Sequence, residues 1–137
     1  MRTLTLAFLV FVASCTRDSV DDPAASEDAT AIDAAKAIDV AKASDVAAAD
    51  AWLGDWRGPE GTLLTIAGGQ GVYRVTVRDL DGPRSFDGNA VPNGIAFTRD
   101  GVTETITATD GAGTGMKWLA DKRDCLVIHP GEGFCRD

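Results

Sequence analysis

An abrupt change of composition just before Trp52 decides where this chain can build a core. All 15 glycines lie between Gly54 and Gly133, and all three tryptophans lie at or beyond Trp52. Residues 16–51 contain no glycine and no aromatic side chain, and alanine dominates them. A core needs large apolar groups, and tight turns need residues that tolerate unusual backbone angles. Both are confined to residues 52–137, so that segment is the folded domain. Its size fits one domain and no second large one.

Within it the hydrophobic period is two. Tyr73, Val75 and Val77 alternate with Arg74, Thr76 and Arg78, the pattern of a half-buried strand. Ile95 and Phe97 alternate with Ala96 and Thr98, and Ile106 and Ala108 alternate with threonines. Turn signals separate these runs at Asp81-Gly82-Pro83, Asn93-Gly94, Asp100-Gly101 and Asp110-Gly111. The pattern predicts strands at 53–57, 62–67, 72–78, 84–90, 94–99, 103–109, 115–119 and 125–129. The gaps are too short for parallel crossovers, so neighbours are expected to pair antiparallel. The expected fold is all-β: a small antiparallel up-and-down barrel or flattened sandwich of about eight strands.

The chain begins differently. Arg2 precedes the apolar run Leu4–Val12, a positive region followed by a short hydrophobic one, as in a secretory signal peptide. The run ends in Val12-Ala13-Ser14-Cys15, which resembles the lipobox of bacterial lipoproteins. The resemblance implies cleavage before Cys15 and acylation of its thiol. It also implies an envelope location, and Thr16 in place of an aspartate favours the outer membrane of a Gram-negative bacterium. Each buried CH₂ contributes about 0.8 kcal/mol, so several acyl chains would hold the protein on a membrane without a span. The division expected is a signal peptide at 1–14, a lipidated linker at 15–51 and a β-domain at 52–137. With Cys15 acylated, Cys125 and Cys135 remain as an even pair, expected to form a disulfide in an oxidising compartment.

The linker carries a degenerate repeat: AIDAAK from Ala31, AIDVAK from Ala37 and ASDVAA from Ala43. Alanine favours helix, and Asp33/Lys36 and Asp39/Lys42 are i,i+3 pairs. A six-residue step sends Ile32, Ile38 and Ser44 in three directions, so no apolar stripe forms. Residues 31–50 are therefore expected to be a solvated, marginal helix, with 16–30 irregular. The linker holds nine of the chain's 21 acidic side chains and three of its 13 basic ones. With a net charge of -8 and a pI near 4.5, the chain lacks the basic surface that nucleic-acid binding requires.

Candidate functional residues are few. His129 is the only histidine, and it sits before Pro130-Gly131 with Asp121, Asp124 and Glu132 available as neighbours. No nucleophile elbow, Walker loop or metal-binding helix is present, so neither an enzyme nor a cofactor is expected. The glycine-rich stretch from Gly111 leads into Met116-Lys117-Trp118, and a second turn runs Gly131-Glu132-Gly133-Phe134. Inward packing of Trp118 is the plainer expectation. If Trp118 faces solvent, then Met116, Lys117, Trp118, Glu132 and Phe134 form the candidate contact surface for a protein partner.

Gly54-Asp55-Trp56 resembles the Gly-x-Trp signature that opens the first strand of lipocalin-like barrels. The resemblance implies a tryptophan closing one barrel end beneath a late arginine, a part open to Arg123 or Arg136. The overall plan is also similar to that of small disulfide-bearing C-type lysozyme inhibitors, although their Ser-Gly-x-x-Tyr motif is absent. The function expected is thus a non-enzymatic, membrane-anchored binding or structural role. The alternatives are inhibition of a wall-degrading enzyme and carriage of a small apolar ligand, the last requiring a cavity of roughly 300 Å³ or more.

Overall fold

The computed structural model describes residues 27–137, with side chains from residue 34 onward. The signal peptide, the lipobox with Cys15 and linker residues 16–26 lie outside the described residues. One helix, α1 (Glu27–Asp50), precedes eight strands. These are β1 (Gly54–Arg57), β2 (Leu63–Gly69), β3 (Val72–Asp79), β4 (Gly82–Val91), β5 (Gly94–Arg99), β6 (Val102–Thr109), β7 (Cys125–His129) and β8 (Glu132–Cys135).

The strands form a closed barrel in chain order, each neighbour antiparallel, with β1 meeting β8 at Arg57↔Cys135. Short turns enforce this order. Gln70-Gly71 and Asp100-Gly101 each place two consecutive residues at positive φ, as a hairpin turn matched to strand twist requires. Seven of the expected strands are present. The eighth is not 115–119 but β8. Residues 112–119 instead form two 3-10 turns, Ala112–Thr114 and Lys117–Leu119. Met116 and Leu119 stand three apart, so a turn of three residues puts both on one side, where a strand would split them.

The period of two fills the interior. Trp56, Leu64, Ile66, Tyr73, Val75, Val77, Ile95, Phe97, Ile106, Leu126, Ile128 and Phe134 all point inward and are buried in one cluster. An eight-stranded barrel of this kind has just enough room for its own side chains. A ligand carrier would need the lumen that these side chains occupy.

The two ends are closed by different means. At one end α1 caps the barrel. Ala49 is 1% exposed and belongs to the core. The Asp50 carboxylate accepts the Gln70 amide N–H at 3.0 Å and the Tyr73 hydroxyl at 2.7 Å. Arg136 donates to the carbonyls of Ala51, Trp52 and Leu53, the segment that joins the helix to β1. Its guanidinium carbon lies 3.9 Å from the Trp56 ring centroid, and Trp56 Nε1 donates to Trp52 O at 2.7 Å. The late arginine over Trp56 is therefore Arg136, not Arg123. The helix is thus solvated only in part: residues 34–44 are exposed, while its last two turns are docked.

At the other end a cluster of charged side chains closes the barrel. Arg99, Glu104 and Glu132 stand two residues beyond inward-facing Phe97, Ile106 and Phe134, so they also point inward. Arg99 donates to both Glu132 oxygens at 2.7 and 2.6 Å, and to Glu104 Oε1 at 3.0 Å. Glu104 Oε2 is buried 2.8 Å from Arg99 Nη2 but off the N–H direction, so it is held by charge without a hydrogen bond. His129 Nε2 lies 2.9 Å from Glu132 Oε2. The hydrogen bond to Glu132 above all, opposed in part by burial, raises the Arg99 guanidinium above its ordinary pKa.

Candidate contact surface

The longest connection, 110–124 between β6 and β7, folds back over the outer face of β7 and β8. Beneath it lies the disulfide Cys125–Cys135, a cross-strand pair with Cα atoms 4.0 Å apart. Leu126 and Phe134 point inward, so alternation turns both cysteines outward. Leu119 packs on them, with Met116 alongside, as a small second core.

The loop is pinned along its length. The Thr114 side chain is fully buried; its hydroxyl donates to Gly111 O at 2.6 Å and accepts the Met116 N–H at 3.1 Å. Thr114 O accepts the Gly131 N–H at 2.9 Å. Gly111 N–H donates to Lys122 O at 2.8 Å, closing the base of the loop. Gly133 has no side chain because none would fit: a Cβ there would come within 2.5 Å of Thr114 Cβ. The Gly133 N–H donates to Met116 Sδ at 3.2 Å.

A loop held this way presents Trp118 to solvent at 82% exposure. Lys117 beside it is exposed, and Met116 is half-buried. The condition set on Trp118 is thus met, against the inward packing a strand would have imposed. Met116, Lys117 and Trp118 come together as one feature. Two other expected members do not contribute side chains to it. Phe134 is 2% exposed and belongs to the barrel core, and the Glu132 carboxylate is engaged by Arg99 and His129. Both lie on the inward phase of β8, a strand absent from the sequence-based set.

The charged closure formed by Arg99, Glu104 and Glu132 also escaped the sequence reading. Its signal was present: Arg99 continues the inward phase of Ile95 and Phe97, and an ionised group facing a core needs a partner. Two hollows accompany these features. A solvent-open cleft of about 110 Å³ lies between β3 and β8, lined by Thr62, Val77, Met116, Gly133 and Phe134. A groove of about 330 Å³ lies between α1 and the β4–β5 turn. Among the described residues, no group of three or more His, Cys, Asp or Glu side chains is placed to hold a metal ion. Set against protein-family models, curated proteins and solved structures, the chain gives no match.

Proposed function

We propose that this chain is a lipid-anchored protein of the Gram-negative cell envelope. Acyl chains on Cys15 hold it on the outer membrane. Its barrel binds a protein partner, without catalysis, through the loop that carries Trp118. The observation behind the binding role is the 82% exposure of Trp118 on a loop fixed at Thr114, Met116 and Leu119. A large aromatic group held rigidly in water loses little conformational freedom on binding and gains much by burial.

The anchor rests on the lipobox residues, and cysteine pairing supports it. Cys125 and Cys135 bond to each other, which leaves Cys15 as the odd thiol. Docking of the last turns of α1 gives the helical part of the linker, Glu27–Asp50, a defined direction: its 24 residues span about 36 Å. The Trp56–Arg136 stack supports a likeness to lipocalin-like barrels as the scaffold.

Two measurements test the two halves. Mass spectrometry of the protein from its native host is expected to find a chain beginning at acylated Cys15; an unprocessed Met1 without acyl mass rejects the anchor. A photo-reactive side chain at position 117 is expected to cross-link one predominant envelope protein. Trp118→Ala should weaken that capture by about 30-fold or more, the effect of losing roughly 2 kcal/mol at an interface anchor. Equal capture by Trp118→Ala rejects the surface. Lysozyme serves as one purified probe, and its inhibition would identify the partner as a wall-degrading enzyme.

A further inference from the structure

We infer that Met116 is an oxidation site, a latch whose conversion to the sulfoxide by hydrogen peroxide loosens the loop carrying Trp118. The consequence for binding rests on the reading of Trp118 given above; the oxidation itself does not. The two described cysteines are joined as a disulfide, so they offer no thiol to a two-electron oxidant. Among the described residues that leaves the thioether of Met116 as the softest nucleophile. It is reachable, because Met116 is half-buried and lines the solvent-open cleft beside β8.

The sulfur already has a structural task. β1 ends at Arg57 and meets β8 at a single residue pair, so β8 runs on beyond its neighbour. There the Gly133 N–H finds no strand carbonyl and takes Met116 Sδ as its acceptor at 3.2 Å. The same side chain lies against the disulfide cluster, and its residue is the backbone junction between the first 3-10 turn and the second. Trp118 follows two residues later.

The chemistry is a simple oxygen transfer. A sulfur lone pair attacks one peroxide oxygen and an S–O bond forms as the O–O bond breaks. The departing oxygen collects both protons and leaves as water; sulfur is oxidised by two electrons and peroxide is reduced by two. Oxygen on the lone pair that accepts the Gly133 N–H has no place between two atoms 3.2 Å apart, and oxygen on the other lone pair sets a polar group beside Leu119 and the disulfide. The Met116 side chain must swing out or the loop must lift from β8. Either movement takes a polar group away from Leu119 and the disulfide, and the support of Trp118 goes with it.

The full-length, disulfide-intact chain is treated with hydrogen peroxide, and the product is mapped by peptide mass to separate Met116 from Met1. One oxygen is expected on Met116 while the barrel remains folded by circular dichroism. Amide exchange of Gly133 and of residues 115–119 should then rise about tenfold or more, the signature of a locally opened segment. Methionine sulfoxide reductase should reverse it. Met116→Leu, which keeps the apolar packing, should show no peroxide response. The inference fails if Met116 is oxidised only on global unfolding, if exchange is unchanged after oxidation, or if Met116→Leu responds equally. Partner capture by the wild-type chain before and after peroxide separates the two ideas: capture that falls on oxidation and returns with the reductase supports both, and capture absent from the untreated wild-type protein rejects the Trp118 surface while leaving the exchange result to decide the latch.

Discussion

Trp118 and Arg99 are opposite cases at the residue scale. Trp118 spends its apolar surface in water, and little of the fold depends on it. Trp118→Ala is expected to change stability by no more than about 0.5 kcal/mol in urea unfolding, since exposed positions seldom contribute more. Arg99 is polar yet mostly enclosed, and the barrel end depends on it. Arg99→Ala would leave Glu104 and Glu132 facing each other without the guanidinium that joins them. A loss of about 2–4 kcal/mol is expected in the same assay, toward the lower side because the three groups keep some solvent contact. A loss below 1 kcal/mol would show the closure to be ornamental. Tyr73 gives a prediction in pH. Burial first, then its hydrogen bond to Asp50, pushes the phenol up to about 12. An unfolded tyrosine ionises near 10, so the folded state holds the proton more tightly. The stability contributed is complete below about pH 10 and is lost as pH rises towards 12, about 2–3 kcal/mol in all. Tyr73 is the only tyrosine, so tyrosinate absorbance reads it directly. Tyr73→Phe should flatten the stability decline across that window; an equally steep decline in the variant rejects the assignment.

Among the elements, the 110–124 connection shows how a period can mislead. Met116, Trp118 and Ala120 alternate with Lys117 and Leu119 well enough to suggest a strand. The competing spacing of three, Met116 to Leu119, wins because the disulfide offers both side chains one apolar platform. That platform exists only once β7 and β8 have paired, so no local property of the segment reveals it. Gly133 is where the loop and strand meet. Gly133→Ala forces a methyl group into Thr114, and an overpacking cost of about 1–3 kcal/mol is expected. Hydrogen exchange should then place the loss in the loop and β8; a loss confined to β2–β4 would contradict the contact. Reduction of the disulfide frees a loop closed by cysteines ten residues apart, and about 3 kcal/mol of stability is expected to go with it by the chain-entropy argument. The helix α1 carries a similar lesson. Its repeat lacks an apolar stripe, yet its last turns dock through one alanine, one carboxylate and the arginine that receives its end.

At the scale of the whole molecule, the barrel is filled along its axis and shut at both ends, so only its outside is left for the proposed partner. The Trp118 loop is fixed to the outer wall, and α1 is fixed to one end by Asp50 and Arg136. A chain begun at residue 42 should therefore be more stable than one begun at residue 52, by about 2 kcal/mol or more, because the shorter one loses Ala49 from the core and exposes Tyr73. Equal stabilities would show the docked turns to be passive. The number of cysteines, with Cys15 set aside by the lipobox, paired the last two. The alternation of apolar residues and the Asp-Gly and Asn-Gly turns were enough, read along the chain, to specify an antiparallel fold of about eight strands and most of its inward residues, though not β8 or the inward Phe134. Those properties are local: each depends on residues a few places apart. What closes the barrel, where Trp118 points and which charges face inward depend on groups brought together from distant positions, such as Arg136 with Trp56 or Arg99 with Glu132. Contacts of that range leave no period in a sequence, because they are created by the packing that the periods make possible.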